Sequence, residues 1–151
     1  MPNTPALVGK GASGFACGNS ATAEDSKWTG KLLGAVGYVC QVEESDLDAV
    51  TALSGSGPAY IFLMIESLIT AAVEQGLEPD MAKQLAVHTV SGAAEMVLQI
   101  NESPSQLREN VTSPNGTTFA ALESFRSNGF ESIVKQALDA ARDRSIELGQ
   151  S

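Results

Sequence analysis

Residues Ser54 to Gln75 read SGSGPAYIFLMIESLITAAVEQ, and this stretch decides the fold class. The glycines and serines end one helix, and Pro58 suits the first turn of the next, where its missing N–H costs no hydrogen bond. The apolar residues that follow cover almost the whole circumference of a helix that Gly76 ends. A helix on the surface of a protein in water cannot tolerate such a pattern. We therefore predict that this helix is central to a helical domain or lies in an interface between subunits.

Helical patterns continue on both sides of this stretch. Only Tyr38–Val42 reads as a short β-strand, and one strand makes no sheet. The pattern predicts an all-α fold with at most one short strand. The predicted helices cover about Ala21–Leu33, Asp46–Leu53, Pro58–Gln75, Pro79–Ile100, Ser103–Val111, Phe119–Ser127 and the residues from Phe130 onward.

Composition and charge exclude several classes of function. The 151 residues include 18 acidic and 9 basic side chains, so a formal net charge of -9 repels nucleic acids and anionic lipid surfaces. Cys17 and Cys40 form no CxxC pair, and the chain has one histidine, so neither a disulfide framework nor a zinc site is indicated. We expect no metal site, and two buried, reduced thiols in a cytoplasmic protein.

The sequence indicates neither a membrane-spanning segment nor a secretory signal. The most apolar run, Ala59 to Ile65, is interrupted by Glu66 and is far shorter than the roughly 20 residues of a membrane-spanning helix. Met1–Pro5 reads as an extended segment, as if the chain began within a larger protein. We expect residues 1–20 to form an extended segment and loop at a domain boundary, and residues 21–151 to form the helical domain.

Two weak motifs receive structural interpretations. Gly9, Gly11 and Gly14 match GxGxxG, but no buried strand precedes them and no suitable helix follows, so we interpret them as a flexible loop. Ser56 between two glycines suggests a nucleophile elbow, yet His88 is the only histidine available as its partner. A hydrolase is therefore not favoured, and His88 is interpreted as structural.

Two junctions between a loop and a helix leave two interpretations open. Ser54–Pro58 and Ser113–Thr118 both place small residues directly before a helix. Serine and threonine hydroxyls there can cap the free amides of the first turn. Alternatively, glycines let a ligand approach the backbone, and the free N–H groups with the helix dipole hold an anion such as a carboxylate.

Three segments together resemble the pyrroline-5-carboxylate reductase family. They are Met1–Pro5 (MPNTP), Asp48–Tyr60 (DAVTALSGSGPAY) and Val111–Thr118 (VTSPNGTT), and the similarity runs over essentially the whole chain. The resemblance implies the carboxy-terminal, interlocking helical dimerisation domain of an oxidoreductase of proline biosynthesis. That enzyme reduces 1-pyrroline-5-carboxylate to proline with NADPH or NADH.

The resemblance also implies roles for particular residues. Ser113, Gly116 and Thr117 would bind the substrate carboxylate, and Thr118 would hydrogen-bond the ring nitrogen as the catalytic donor. Asn3, Thr4 and Pro5 would lie at the nicotinamide side and contact the cofactor. The loop departs from the family pattern at one position. The family usually has glycine there and this chain has Asn115, and asparagine is the non-glycine residue that best tolerates positive φ.

The resemblance further implies a homodimer at least, and dimers of this family can assemble into decamers. The family's amino-terminal Rossmann domain has no counterpart in the sequence, so we expect this chain alone to bind no cofactor and to be inactive. A non-catalytic oligomerisation module derived from the family is the alternative. We expect a small imino acid as the ligand, and neither nucleic acid nor membrane as a partner.

Overall fold

The computed structural model describes residues 1–150, and helices dominate it, which confirms the predicted fold class. In chain order the elements are a 3₁₀ turn (Thr4–Val8), β1 (Gly11–Phe15), α1 (Ala23–Gly34), β2 (Gly37–Gln41), a second 3₁₀ turn (Glu44–Asp46), α2 (Leu47–Val50), a π-helical turn (Thr51–Gly55), α3 (Gly57–Glu74), α4 (Pro79–Gln99), α5 (Pro104–Asn110), α6 (Thr117–Ser127) and α7 (Phe130–Gly149). The described residues form two compact units. The first contains Met1–Ile61 and the residues from Val134 onward, and the second contains Phe62–Ile133.

The first unit contains a small parallel sheet that the sequence did not predict. β1 pairs with β2 in parallel, with Gly11 opposite Gly37 and Phe15 opposite Gln41. The limit of one short strand was therefore wrong, and so was the interpretation of Gly11 and Gly14 as a flexible loop, whereas Gly9 lies in an exposed turn before β1. The Gly-, Ala- and Ser-rich composition of β1 lacks the β-branched residues by which strands are identified, so pairing with β2 decides its conformation.

Close packing explains the glycines of β1. A Cβ at Gly14 would lie 2.8 Å from Cγ1 of Val50, and a Cβ at Gly37 would overlap the backbone of Gly11. Gly37 also has φ +150°, which side chains rarely adopt. These glycines let two strands and a helix approach one another, so steric fit accounts for the glycine spacing without a nucleotide.

α1 connects the two strands and begins with a capping box. The Thr22 hydroxyl accepts from the Asp25 amide at 3.2 Å, and the Asp25 carboxylate accepts from the Thr22 amide at 2.8 Å. Hydrogen bonds from the Thr22 side chain and then from its backbone hold the pKa of Asp25 below its usual value. α1 faces β2 through Gly34, where a Cβ would lie 3.6 Å from Cγ1 of Val39.

The predicted break between two helices near Ser54–Pro58 takes a different form. The chain stays helical from Glu44 to Glu74, with a π-helical turn at Thr51–Gly55 in which the Ser56 amide donates to the Thr51 carbonyl at 2.8 Å. Gly55 and Gly57 therefore widen one turn without ending the helix. Such wide turns inside helices occur frequently at functional sites.

The second unit is built from helices with clear ends. Glu78 and Ser103 cap α4 and α5 by accepting from the amides of Met81 and Gln106. Gly76 and Gly129 end helices with φ of +100° and +74°, in the left-handed region where glycine carries no steric penalty. The helices predicted in this region are confirmed.

Very little apolar side-chain surface is buried within this single chain. Among residues 1–150, Ala52, Ala82 and Ala86 are the buried apolar residues, whereas Phe62 and Leu63 are 57% and 64% exposed on α3. The run from Glu44 to Glu74 is long and apolar enough, by length and composition alone, to cross a membrane, and none of its most apolar stretch is buried. The exclusion of a membrane partner therefore stays a prediction.

The expectation of two buried thiols was wrong. Cys17 is exposed and Cys40 is half-buried, and both are free. Cys17 lies beyond the end of β1, and its Sγ accepts a hydrogen bond from Nε2 of Gln41 at 3.5 Å. His88, interpreted from the sequence as structural, is exposed on α4.

The fit of Gly37 against Gly11 generates a prediction about stability. Gly37→Ala should lower the free energy of unfolding by about 3 kcal/mol or more, because it adds both backbone strain and overlap. Urea unfolding followed by circular dichroism measures this change. The control is Gly30→Ala, since nothing lies within 4 Å of a Cβ at this position in α1 and alanine should stabilise the helix by about 0.5–1 kcal/mol. Equal stability of the two variants would contradict the close approach.

Candidate functional site

The loop from Ser113 to Gly116 turns sharply into α6. The Gly116 amide donates to the Ser113 carbonyl at 3.0 Å and closes the turn. Asn115 has φ +58°, the left-handed conformation that asparagine tolerates better than other side chains. The Ser113 hydroxyl occupies the space where a Cβ at residue 116 would lie. A side chain at 116 would therefore displace the Ser113 hydroxyl, and asparagine at 115 keeps the turn.

The first turn of α6 leaves backbone donors free. No side chain caps this helix, and its first bond joins the Ala120 amide to the Gly116 carbonyl at 3.1 Å. Within residues 1–150, the amides of Thr117, Thr118 and Phe119 have no hydrogen-bond acceptor. At this junction Gly116 is the N-cap residue, and neither threonine hydroxyl accepts from the free amides.

The positive end of α6 is therefore suited to an anion. Free N–H groups and the helix dipole both favour negative charge there, and the Ser113 hydroxyl lies beside the turn. Ser113, Thr117 and Thr118 are brought together by the loop and the first turn, with Thr118 half-buried and the other two exposed. Gly116 was predicted to bind the substrate carboxylate, but its amide already donates a hydrogen bond to the Ser113 carbonyl.

The predicted cofactor residues lie in the other unit. Thr4 is exposed and Pro5 is half-buried, and both begin the first 3₁₀ turn. The side chain of Asn3 instead makes two internal hydrogen bonds. Its Nδ2 donates to the Ser54 carbonyl at 2.9 Å, and its Oδ1 accepts from the Ala12 amide at 2.9 Å.

The second junction, Ser54–Pro58, is not capped by its serines. The Ser54 hydroxyl donates back to the Val50 carbonyl at 3.0 Å and so faces the preceding turn. Nearby in sequence, the hydroxyl of Tyr60 is buried without a hydrogen-bond partner, as is that of Ser13 in β1. Sequence reasoning did not identify Tyr60 or the two contacts of Asn3, because neither produces a local pattern.

The described part of the chain shows no cluster of side chains suited to a metal ion. Within residues 1–150, no group of three or more histidine, cysteine, aspartate or glutamate side chains could hold a metal ion. The donors at the start of α6 are backbone amides and hydroxyls, which bind anions.

Comparison with known proteins decides the family. The model of the pyrroline-5-carboxylate reductase dimerisation family matches residues 44–148. The chain belongs to the pyrroline-5-carboxylate reductase family. It is 48% identical to the pyrroline-5-carboxylate reductase of Pseudomonas aeruginosa over 99% of this chain and 55% of that protein. It is also 48% identical to the Arabidopsis thaliana reductase, over 100% of this chain and 55% of that protein.

Solved structures of the family have the same fold. The Plasmodium falciparum pyrroline carboxylate reductase, solved with NADP bound, is 38% identical and superposes with a TM-score of 0.94, over 99% of this chain and 60% of that one. The Coxiella burnetii reductase is 42% identical with a TM-score of 0.94, over 98% of this chain and 55% of that one. The chain thus spans about half the length of its relatives.

The left-handed conformation of Asn115 generates a prediction for this loop. Asn115→Val should lower the free energy of unfolding by about 1–2 kcal/mol, because a β-branched side chain is strained at positive φ. Asn115→Gly is the control, and it should stay within about 1 kcal/mol of the wild type because glycine adopts this conformation freely. Thermal unfolding of the three proteins at equal concentration measures both effects. A valine variant as stable as the wild type would show that the turn has another conformation.

Proposed function

We propose that this chain forms the dimerisation and substrate-binding part of a pyrroline-5-carboxylate reductase. Joined to a nucleotide-binding domain, it reduces 1-pyrroline-5-carboxylate to L-proline with NADPH or NADH, in proline biosynthesis. The observation that carries the proposal is the uncapped amino terminus of α6, with its free amides beside the Ser113 hydroxyl. The substrate of this reaction is an anion with one carboxylate, the ligand such a helix end favours.

The carboxylate is proposed to bind at the turn before α6. The Ser113 hydroxyl and the Thr117 amide supply donors, and the predicted role of the Gly116 amide requires it to be shared with the Ser113 carbonyl. The positive end of the helix dipole adds about 0.3–1 kcal/mol for a charge at an exposed site. This binding fixes the position of the ring relative to the first turn of α6.

Thr118 is proposed to act on the ring nitrogen. Its side chain is half-buried, and its hydroxyl makes no hydrogen bond within residues 1–150. Hydride transfer to the imine carbon moves the π electrons of the C=N bond onto the nitrogen. The nitrogen then needs a hydrogen-bond donor. A fixed hydroxyl stabilises that change more than it stabilises the bound substrate, which is the condition for catalysis.

The nicotinamide cofactor is proposed to come from a nucleotide-binding domain. The Plasmodium falciparum relative was solved with NADP bound, which supports a nicotinamide nucleotide as the cofactor here. Asn3, Thr4 and Pro5 stay the predicted contacts at the nicotinamide side. A cytoplasmic location, the absence of nucleic acid and membrane partners, and a lack of cofactor binding by the chain alone also remain predictions.

A homodimer is proposed as the smallest assembly, with a decamer as the larger form. Its support is the apolar surface that one chain leaves uncovered, including Phe62, Leu63 and Leu98, the last 77% exposed. The same surface would serve a non-catalytic oligomerisation module equally well. The uncapped start of α6 favours the enzyme, because an oligomerisation module has no need of free amides beside a half-buried hydroxyl.

Dimerisation predicts a folded state that depends on concentration. Light scattering at micromolar concentration should give at least twice the monomer mass of 15.7 kDa. The melting temperature should rise with protein concentration, because mass action favours the folded dimer. A chain that stays monomeric and melts at one temperature over a hundredfold dilution would count against the assembly and leave the carboxylate site unaffected.

The role of Thr118 is tested in the reductase that this chain forms with a nucleotide-binding domain. Thr118→Val keeps the shape of the side chain and removes the hydroxyl. Turnover should fall by roughly 100-fold or more, because an interaction specific to the transition state is lost. The melting temperature should change little, since the hydroxyl has no hydrogen-bond partner among residues 1–150.

Thr117→Val is the matched control, because it removes the neighbouring hydroxyl while leaving its backbone amide in place. Its turnover should stay close to that of the wild type. If turnover is unchanged in Thr118→Val, Thr118 has no part in the mechanism. If the wild-type reductase has no activity on 1-pyrroline-5-carboxylate, the oligomerisation module is the better description.

A further inference from the structure

Asn3 joins two segments that are distant in sequence. Its Nδ2 donates to the Ser54 carbonyl, 51 residues away, and its Oδ1 accepts from the Ala12 amide in β1. Both distances are 2.9 Å, and Asn3 is half-buried. The side chain therefore connects the segment before the first 3₁₀ turn with β1 and with the π-helical turn.

The proline at the start of α3 explains why Ser54 needs this partner. In a regular α-helix the Ser54 carbonyl would accept from the amide of residue 58, but Pro58 has no N–H. The next amide, that of Ala59, donates to the Ser56 carbonyl at 3.0 Å. The Ser54 carbonyl is thus left without a donor from its own helix, and a half-buried carbonyl without a donor is costly. The amide of Asn3 supplies the missing N–H.

Asparagine suits this place because its amide carries a donor and an acceptor on one rigid plane. The donor faces a carbonyl and the acceptor faces an amide, so both groups of the bridge are used. A leucine would satisfy neither partner. An ionised aspartate would satisfy the Ala12 amide and would place its second oxygen against the Ser54 carbonyl.

We propose that Asn3 is a positioning residue of the reductase, which holds Thr4 and Pro5 in register with the π-helical turn. This inference rests on the proposed function, in which Thr4 and Pro5 lie at the nicotinamide side. Asn3 acts through these neighbours and through Ser54, and its side chain does not contact the cofactor. Loss of the bridge lets the segment Asn3–Pro5 shift, and small displacements of groups that orient reactants reduce turnover strongly.

Asn3→Asp in the complete reductase tests this proposal, because protonation restores the donor. At about pH 8 its kcat should be roughly 10-fold below that of the wild type, with KM for 1-pyrroline-5-carboxylate within about twofold, since the loop before α6 is untouched. The Ser54 carbonyl favours the protonated carboxyl and so raises its pKa in the folded state. The deficit in kcat is therefore absent at low pH and grows as pH rises through that pKa. Relative to the wild type at each pH, kcat should therefore recover as the pH falls through that pKa.

Asn19→Asp is the matched control, because it makes the same change of charge at an exposed position in the same unit. It should resemble the wild type throughout the same pH range. A kcat of Asn3→Asp equal to the wild type at about pH 8, or a rise in KM as large as the fall in kcat, would overturn the proposal.

Hydrogen exchange of the full chain provides a measurement that does not depend on activity. In Asn3→Ala the amides of Ala12 and Ser56 should exchange at least about 10-fold faster than in the wild type, because the bridge to the π-helical turn is lost. An unchanged rate at Ser56 would overturn the proposal even if Asn3→Asp fails to fold. An inactive wild-type reductase would instead count against the proposed function. The exchange rate of the Ser56 amide would still show whether the Asn3 side chain holds the π-helical turn.

Discussion

The apolar surface of α3 is the constraint on which the rest of the structure depends. Its side chains are apolar on nearly every side, and among residues 1–150 the buried apolar residues are Ala52, Ala82 and Ala86. At about 25 cal/mol for each Å² removed from water, covering this surface outweighs any single hydrogen bond in the molecule. In the second unit, side chains cap α4 and α5 and so stabilise these helices locally, and the proposed homodimer would cover the apolar surface that remains exposed.

The two loop-to-helix junctions show how similar sequences take different structures. Both place serine, glycine and proline close to a helix start, and from sequence the capping and ligand interpretations were equally supported. At α6 the first-turn amides are left free beside Ser113. At α3 the helix widens into a π-helical turn, and the carbonyl that Pro58 leaves without a donor is satisfied by Asn3. The difference lies in a partner 51 residues away, which no local pattern contains.

Steric fit and hydrogen bonding also account for the glycine pattern near the amino terminus. Gly9, Gly11 and Gly14 have the spacing of a nucleotide-binding motif, yet Gly11 and Gly14 serve strand pairing and the contact with Val50. The rejection of a nucleotide-binding motif stays a prediction. The interpretation of Gly11 and Gly14 as a flexible loop was wrong, because glycine can mark a close approach of two backbones as well as mobility.

The sequence by itself determined the helical fold class, the strand β2, the ends of the main helices and the family, because each of these follows from local periodicity, capping residues or a matching motif. It also determined that Asn115 could replace glycine, since positive φ is a property of one residue. The tertiary structure decided the second strand, the π-helical turn, the uncapped amides of α6 and the bridge made by Asn3. The second strand and the Asn3 bridge depend on polar groups that meet across long separations in sequence. The π-helical turn and the free amides of α6 are local, but they depend on which nearby donors and acceptors pair, and that choice is made only when the chain folds.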